Sequence, residues 1–379
     1  MRAIVTGQIG MDKKAYLDAV ARFAGQQGEG LDVYHVGDMM YHEAPDVRPG
    51  KILDLPISRL NSLRRAALKD VIADSRDKKN IIVNTHATFR WRHGLFSAFD
   101  YDQIAALNPD IFICLVDNIE VVHHRLHRDH EIDAALKDCM VWREEEILAT
   151  ELMGKAIPHS RFYILSRGRH QPTLRSAFRL ICRPQMRRVY PSFPMSHVMD
   201  MPEVLAEIDA FRAALAEHFI TFDPGDVDEK LLLDRGILAA KEGKEFLEVA
   251  PHTFGGAKAD GAQPIRVRVR EILDIAGDVD GQIYMRDFRL VDQSDMIVSY
   301  IPEIPDGKGG GIPGLSSGVE RELHHAFEHT KEVYVVWKPR KAPSPFITET
   351  ATKIFASTAE AMTYFESNGM FAATNLFGH

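Results

Sequence analysis

The chain has 379 residues, 45% apolar and 26% charged, and 46 Lys+Arg against 54 Asp+Glu give a formal net charge of −8. That balance belongs to ordinary globular proteins and excludes a collagen-like, disordered or disulfide-stapled chain, and also a global basic field suited to nucleic acid or an anionic membrane. At about 150 residues per domain, the length predicts two domains. The three cysteines (Cys114, Cys139, Cys182) are scattered with no CxxC pair, which suits a reducing compartment and argues against a zinc site. No apolar run approaches the roughly 18 residues that span a bilayer. The start, MRAIVTGQIG, reads as a first strand rather than a signal peptide. The expected location is therefore cytoplasmic.

In chain order, RAIVT (2–6) is a β-branched run ending at Gly7, and residues 13–24 carry apolar side chains at helical spacing. A strand is predicted over 31–36 and a helix over 60–73, with Arg64, Arg65, Lys69 and Asp70 solvated. NIIVNTHA (80–87) and DIFICLVD (110–117) read as strands, VWREEEILATELMGKAI (141–157) as a helix and RFYILS (161–166) as a strand. Nearly all-apolar strands separated by helices predict a parallel sheet covered on both faces. A basic segment over 168–188 then precedes a new β-branched start at Arg188–Tyr190. The same rhythm returns with a helix over about 202–218, strands over 219–222 and 296–300, a helix over 319–329 and a strand over 332–337. The join is placed near 183–187, giving domains 1–184 and 185–379, each a three-layer α/β unit with a mainly parallel sheet.

TGQIGMDKKAY lies between the first strand and the first helix, where a phosphate-cradling loop belongs. Glycines let backbone N–H groups converge on an anion, a lysine meets the outer phosphates, and the helix N-terminus adds its dipole. Gly7, Gly10 and Lys13 fall at the required spacing. Asp12 stands where a third glycine is usual, and Lys14 replaces the Ser/Thr hydroxyl that binds Mg²⁺. An ordinary βα turn is the competing reading. Together with DLPISRLNSLRRAALKDVIA, NIIVNTHATF and DQIAALNPDIFICLVDNIEVVHHRLHRD, this half resembles the archaeal-type adenylate kinase branch of P-loop nucleoside monophosphate kinases, over roughly residues 1–170. The resemblance implies that Arg125 and Arg128 lie near transferred phosphates and that Asn84, Thr85 and His86 line the acceptor cleft. It also implies ATP and Mg²⁺ as the cofactors of any kinase reaction. A solvated helix face is the alternative for the arginines, and a hydrogen-bonded strand end for His86.

In the second half, RVYPSFPMS (188–196) is a short strand and a Pro-containing loop, RDFRLVDQSDMIVSYIP (286–302) a helix feeding a buried strand, and LSSGVERELHHA (315–326) a turn opening a helix. The order and spacing resemble the nucleoside 2-deoxyribosyltransferase superfamily, in particular its deoxynucleoside 5′-monophosphate N-glycosidases, over roughly 187–379. That resemblance implies a Rossmann-like fold, Glu322 as the catalytic carboxylate, and Asp287 and Tyr190 as its companions. It also implies a homo-oligomer, with Ser344 or Thr348 as a hydroxyl donated across a dimer. The chemistry fits these residue types. An N-glycosidic bond breaks through an oxocarbenium-like sugar that a carboxylate captures or stabilises. The departing base needs a proton from a second acid. Ser316, Ser317, Gly318 and Val319 form a helix-start nest suited to a sugar hydroxyl or a 5′-phosphate, and Ser192 and Ser196 offer hydroxyls. Capping for Glu322, a surface position for Asp287 and plain core for Tyr190 are the structural alternatives. Pro191, Phe193 and Pro194 are expected to narrow the loop after the strand, and GKGGGIP (307–313) to act as a mobile lid.

Glycosidic cleavage by carboxylates needs no cofactor or metal. His325 and His329 are spaced i,i+4 beside His324, but with no HExxH and no third ligand they read as a solvated or packed helix face. The favoured function is cleavage or exchange of the N-glycosidic bond of a (deoxy)nucleoside or its 5′-monophosphate. Its partners are then a nucleoside or nucleotide, and neither nucleic acid nor membrane. The alternatives are a nucleoside monophosphate kinase and a non-catalytic nucleotide-sensing protein.

Overall fold

The computed structural model describes residues 1–48, 50–91, 94–168, 170–195, 198–249, 264–307 and 310–371. The described chain forms two compact units, one of residues 1–167, 235–249 and 264–275, the other of 168–234 and 276–371.

The first unit begins with β1 (Arg2–Thr6), α1 (Lys13–Gln26), β2 (Asp32–His35), α2 (Val36–Glu43), α3 (Ile57–Asp74) and β3 (Ile81–Asn84). There follow a hairpin of β4 (Thr88–Trp91) and β5 (Gly94–Ser97), then α4 (Tyr101–Leu107), β6 (Ile111–Val116), α5 (Ile119–His130), α6 (Leu136–Ala156) and β7 (Arg161–Ser166). The strands pair in parallel in the order β2-β3-β1-β6-β7. β6 is buried along its whole length, as a strand covered on both faces must be. One apolar layer joins Ile4, Ile81, Val83 and Phe112 to Leu60, Leu68 and Val71 of α3.

In the second unit, α7 (His170–Cys182), β8 (Arg188–Ser192), α8 (Pro202–His218) and β9 (Ile220–Thr221) come first. The basic stretch before the expected join, most of it assigned to the first domain, is therefore largely a helix of this unit. Arg179 donates to the carbonyls of Ala216 (2.8 Å) and Phe219 (2.6 Å), and Ser176 Oγ contacts the Thr221 carbonyl at 3.2 Å. These arginines answer carbonyl groups at the end of α8, as cations near a helix C-terminus do. The expected join at 184/185 thus differs from the division of contacts, which falls between Arg167 and Gly168.

The chain then runs through α9 (Lys230–Lys241) into the first unit, which also holds the antiparallel pair β10 (Phe246–Val249) and β11 (Ile265–Arg268) and then α10 (Val269–Asp274). The second unit resumes with α11 (Ala276–Asp292), β12 (Met296–Ile301), the hairpin β13 (Glu303–Pro305) and β14 (Gly311–Pro313), and α12 (Ser317–Glu328). It ends with β15 (Glu332–Trp337), α13 (Pro345–Thr348), β16 (Lys353–Phe355) and α14 (Thr358–Ser367). Its sheet is parallel, in the order β16-β15-β12-β8-β9. In such a doubly wound sheet, β8 and β12 flank the point where the strand order reverses. Ligands bind in the crevice beyond the strand ends at that point. Both units are thus α/β with parallel sheets, as expected.

Two expectations about loops change. Phe193 does not narrow the turn after β8. It packs into the core with Val189, Val298 and Phe211, under the Arg212 guanidinium 5.1 Å from its ring. The Gly-rich insertion holds a β-hairpin over its described part rather than an open loop. Among the described residues no helix is long and apolar enough to cross a membrane.

Candidate functional site

The site in the second unit is built from β8, α11 and α12. Alternation along β8 sends Val189 and Phe193 to one face and Tyr190 and Ser192 to the other. On that second face both hydroxyls meet Glu322. Tyr190 Oη donates to Oε1 at 2.8 Å and Ser192 Oγ to Oε2 at 2.6 Å, so each carboxylate oxygen has its own donor. Tyr190 and Ser192 are fully buried, and Glu322 is partly buried. β12 pairs with β8 in the register Tyr190↔Ile297 and Ser192↔Ser299. Ser299 therefore lies on the same face, and its buried hydroxyl has no hydrogen-bond partner among the described residues. Sequence reasoning missed Ser299. The clue was a lone hydroxyl inside the otherwise apolar MIVSYI.

Two opposing effects act on Glu322. The Tyr190 and Ser192 bonds stabilise its charged form, while burial and the nearby Asp287 charge disfavour it. Burial and repulsion win, and the carboxyl is pushed up to about 8. Asp287, on α11, is raised to about 7, chiefly by burial. Arg286 opposes that rise, and Glu229 and Asp228 reinforce it. Arg286 is largely engaged elsewhere, bonding Glu229 (2.9 Å) and the Val227 carbonyl (2.8 Å) and reaching Asp287 only at 4.0 Å. Asp287 Oδ1 is buried with no hydrogen-bond partner among the described residues. Tyr190 is held well above its ordinary value, first by burial and then by the two carboxylates. Two acids of raised proton affinity thus share one buried corner, the usual signature of acid–base work.

α12 starts differently from the expected nest. Ser316 is its N-cap and accepts the Val319 N–H at 3.2 Å, while the Val319 side chain is buried. That N–H is spent on the cap, while the Ser316 hydroxyl, which only accepts there, keeps its own proton to donate. Ser317 and Gly318 are exposed on the first turn, where helix N–H groups lack intrahelical acceptors. Gly318 lies one turn before Glu322 on the same face. A Cβ there would meet only Ser316 Oγ, at 3.7 Å, so the space beside Gly318 is open. Ser196 lies outside the described residues, and Ser344 and Thr348 are exposed at α13.

The first unit presents its glycine turn at the end of β1. Gly10 has φ +83°, and a Cβ on it would sit 3.0 Å from Leu126 Cγ. Asp12, in place of a third glycine, also adopts a left-handed conformation (φ 49°), which short polar side chains tolerate. The backbone therefore follows the motif where the sequence departs from it, and the Asp12 carboxylate is turned to Arg167 at 3.4 Å. Lys13 is buried. Its Nζ donates to the Gly7 carbonyl (2.7 Å) and lies 3.1–3.2 Å from both ring nitrogens of His86. Burial lowers Lys13 to about 8, and burial and the Lys13 charge together hold His86 well below its ordinary range. Arg125 joins the turn through the Gly10 carbonyl (3.4 Å) and Asp117 (3.0 Å).

Lys14 and Arg128 do not join the loop. Lys14 reaches out to Asp38 (2.5 Å), and Arg128 pairs with its neighbour Asp129 (2.6 Å) at the surface. Asn84 bonds His35 at 2.9 Å. Glu146 was not anticipated. Nearly fully buried on α6, it accepts N–H groups of Gly7 (3.2 Å), Ala87 (2.9 Å) and Thr88 (2.9 Å), as well as the Thr88 hydroxyl (2.6 Å). Its trace in the sequence is Arg143, Glu146 and Thr150 on one helical face.

An anion fits this turn, because Lys13 and the amide-lined loop face it and both polar atoms of the buried Gln8 amide lack partners among the described residues. The usual Mg²⁺ hydroxyl does not fit, since its position is Lys14 and that side chain is committed to Asp38. The three cysteines are free and buried, and burial pushes the Cys114 and Cys139 thiols up to about 12.

Residues 6–141 match the AAA domain family. Adenylate kinase from Pyrococcus furiosus is 28% identical over 140 residues, covering 34% of this chain and 68% of that enzyme. A crystal structure of shikimate kinase from Bacteroides thetaiotaomicron, at 16% identity, covers 48% of this chain and 97% of that one with a TM-score of 0.33. The N-terminal part of the chain is a kinase-like P-loop domain.

Proposed function

We propose that the second unit cleaves or exchanges the N-glycosidic bond of a (deoxy)nucleoside or its 5′-monophosphate, with Glu322 as the carboxylate that meets C1′. One observation carries this reading: a carboxylate gripped by two buried hydroxyls at the sheet's switch point, with a second acid of raised proton affinity beside it. In the productive form Glu322 is ionised and Asp287 protonated. This is the minor of the two singly protonated forms, since Glu322 holds its proton more tightly than Asp287, and the Tyr190 and Ser192 bonds lower the cost of reaching it by stabilising charge on Glu322.

Glu322 attacks C1′ as the C1′–N bond breaks, and the bond electrons pass to the base, which takes the Asp287 proton. The ionised Asp287 then removes a proton from water, or from the nitrogen of an acceptor base. The resulting nucleophile displaces Glu322 from C1′. Because the two acids titrate as a pair near 7 and 8, activity rises as the first proton leaves and falls as the second leaves. The expected optimum lies between those values. Asp287→Asn is expected to slow base release by roughly 10²–10⁴-fold. The loss should shrink for bases that leave readily without protonation, as a series of modified bases will show. A loss equal for all leaving groups removes Asp287 from the role of acid.

The similarity to adenylate kinase supports a companion reading, in which the first unit binds a nucleoside triphosphate or diphosphate at Gly7–Lys13. Lys13 and Arg125 would hold its phosphates, and bound phosphate would raise the lowered proton affinity of Lys13. Lys13→Ala is expected to abolish nucleotide binding measured by calorimetry, while base release from saturating substrate persists. Unchanged binding would take Lys13, and this turn, out of the reading.

A further inference from the structure

We propose that the chain carries a surface site for a divalent transition-metal ion, formed by His325 and His329 of α12 and Asp292 at the end of α11. One ligand atom from each of the three side chains lies within 4.8 Å of the others. His325 Nε2 stands 2.7 Å from Asp292 Oδ1. The His325 and His329 rings lie side by side, with centroids 4.1 Å apart, as i,i+4 positions on a helix allow.

The spacing suits an ion of zinc's size. Ligand atoms about 2.0–2.2 Å from Zn²⁺ in a tetrahedron lie about 3.4 Å from one another. The His325–Asp292 pair has only to open slightly, and the pair between Nε2 and Oδ1 is the one an ion would split. Asp292 is free to do so, being the exposed last residue of its helix.

The surroundings already set the donors. His329 Nδ1 lies 2.8 Å from the His325 carbonyl, which only accepts, so the proton sits on Nδ1 and the lone pair on Nε2. The Phe288 ring lies 4.6 Å from the His325 ring and fixes its plane. Lys331 is anchored on the backbone carbonyls of Asp292 and Ser294, so the nearest ammonium does not occupy the Asp292 carboxylate. Two imidazoles and a carboxylate suit Zn²⁺, Co²⁺ or Ni²⁺ rather than the oxygen-seeking Mg²⁺ or Ca²⁺. With three protein ligands the fourth position goes to water.

The site explains what the sequence left unresolved. The i,i+4 histidines lacked a third ligand because that ligand belongs to another helix, 33 positions before His325. It also has a structural consequence. α11 carries Asp287 five residues before Asp292, and α12 carries Glu322 three residues before His325. An ion at this point clasps together the two helices that present the paired carboxylates. The clasp is a property of the fold and holds whether or not those carboxylates cleave a glycosidic bond.

The test is Zn²⁺ titration of the metal-stripped full chain by calorimetry, with thermal unfolding measured alongside. The wild type should bind one Zn²⁺ at micromolar or tighter affinity and gain Tm with added Zn²⁺, as any ligand of the native state requires. His329→Gln and Asp292→Asn, both exposed substitutions, should each weaken that binding by roughly tenfold or more and abolish the Tm gain. His127→Gln, at the other i,i+4 histidine pair (His123 and His127 on α5), should leave both unchanged. The proposal is overturned if the wild type shows no binding at 0.1 mM Zn²⁺, or if His329→Gln and Asp292→Asn bind as tightly as the wild type.

Discussion

A Glu322→Ala chain is expected to release free base from nucleosides and 5′-monophosphates on the order of 10⁴-fold more slowly than the wild type. The size of the loss follows from what goes with the side chain. In the proposed reaction Glu322 is the group that meets C1′, and in the fold it is the acceptor for Tyr190 and Ser192. Its removal leaves two buried hydroxyls without their partner. Alanine thus conflates chemistry with a local packing defect, and Tyr190→Phe separates the two. Losing one donor raises the proton affinity of Glu322 further, because that bond stabilised the charged form. Tyr190→Phe should therefore move the limb near 8 to higher pH and lower kcat with little change in KM. A profile with unmoved limbs would reduce Tyr190 to a packing role.

The second large effect is on stability and has the opposite sign. Both acids have folded-state proton affinities above their unfolded values, Glu322 at about 8 and Asp287 at about 7. At these two groups the folded chain therefore binds more protons than the unfolded chain between pH 4 and 8. The favourable contribution of such a group is complete below its unfolded value, near 4, and disappears as pH rises through its folded value. Glu322→Gln removes the charge while keeping the shape. Its Tm should match the wild type near pH 5 and exceed it by roughly 5 °C or more at pH 9, while the proposed reaction requires the variant to lose base release. A charge kept in place at the expense of stability is what a working site demands. A Tm difference that stayed flat from pH 5 to 9 would show that Glu322 is not held in a destabilising environment.

Much of the architecture was legible because apolar runs such as IFICLV and MIVSYI survive only where both faces of a strand are covered, and these became the centres of the two sheets. α7 was not legible as part of the second unit, since nothing in one dimension shows that its arginines answer carbonyls at the end of α8. In the site, Tyr190, Asp287 and Glu322 were implied by the resemblance of the second half to the deoxyribosyltransferase superfamily, and the fold brings them together. Ser299 and Glu146 escaped because their meaning lies in the register of a parallel pair and in backbone N–H groups 58 to 139 residues away. Lys14 stands out in the phosphate-loop segment and Arg128 in the segment that resembles adenylate kinases. Nothing in the sequence reveals that Asp38 and Asp129 already answer them. Asp12 is the opposite case, a residue that departs from the motif yet keeps the left-handed turn the motif requires.

The most direct test of the central claim is to incubate the full chain at pH 7.5 with a mixed pool of nucleosides and 5′-monophosphates, without ATP, and to identify the products by mass. The proposed chemistry predicts free base together with an equal amount of sugar or sugar phosphate from at least one member of the pool, and neither product from the Glu322→Ala chain. Intact nucleosides and nucleotides throughout, or base release that persists unchanged in Glu322→Ala, would contradict it.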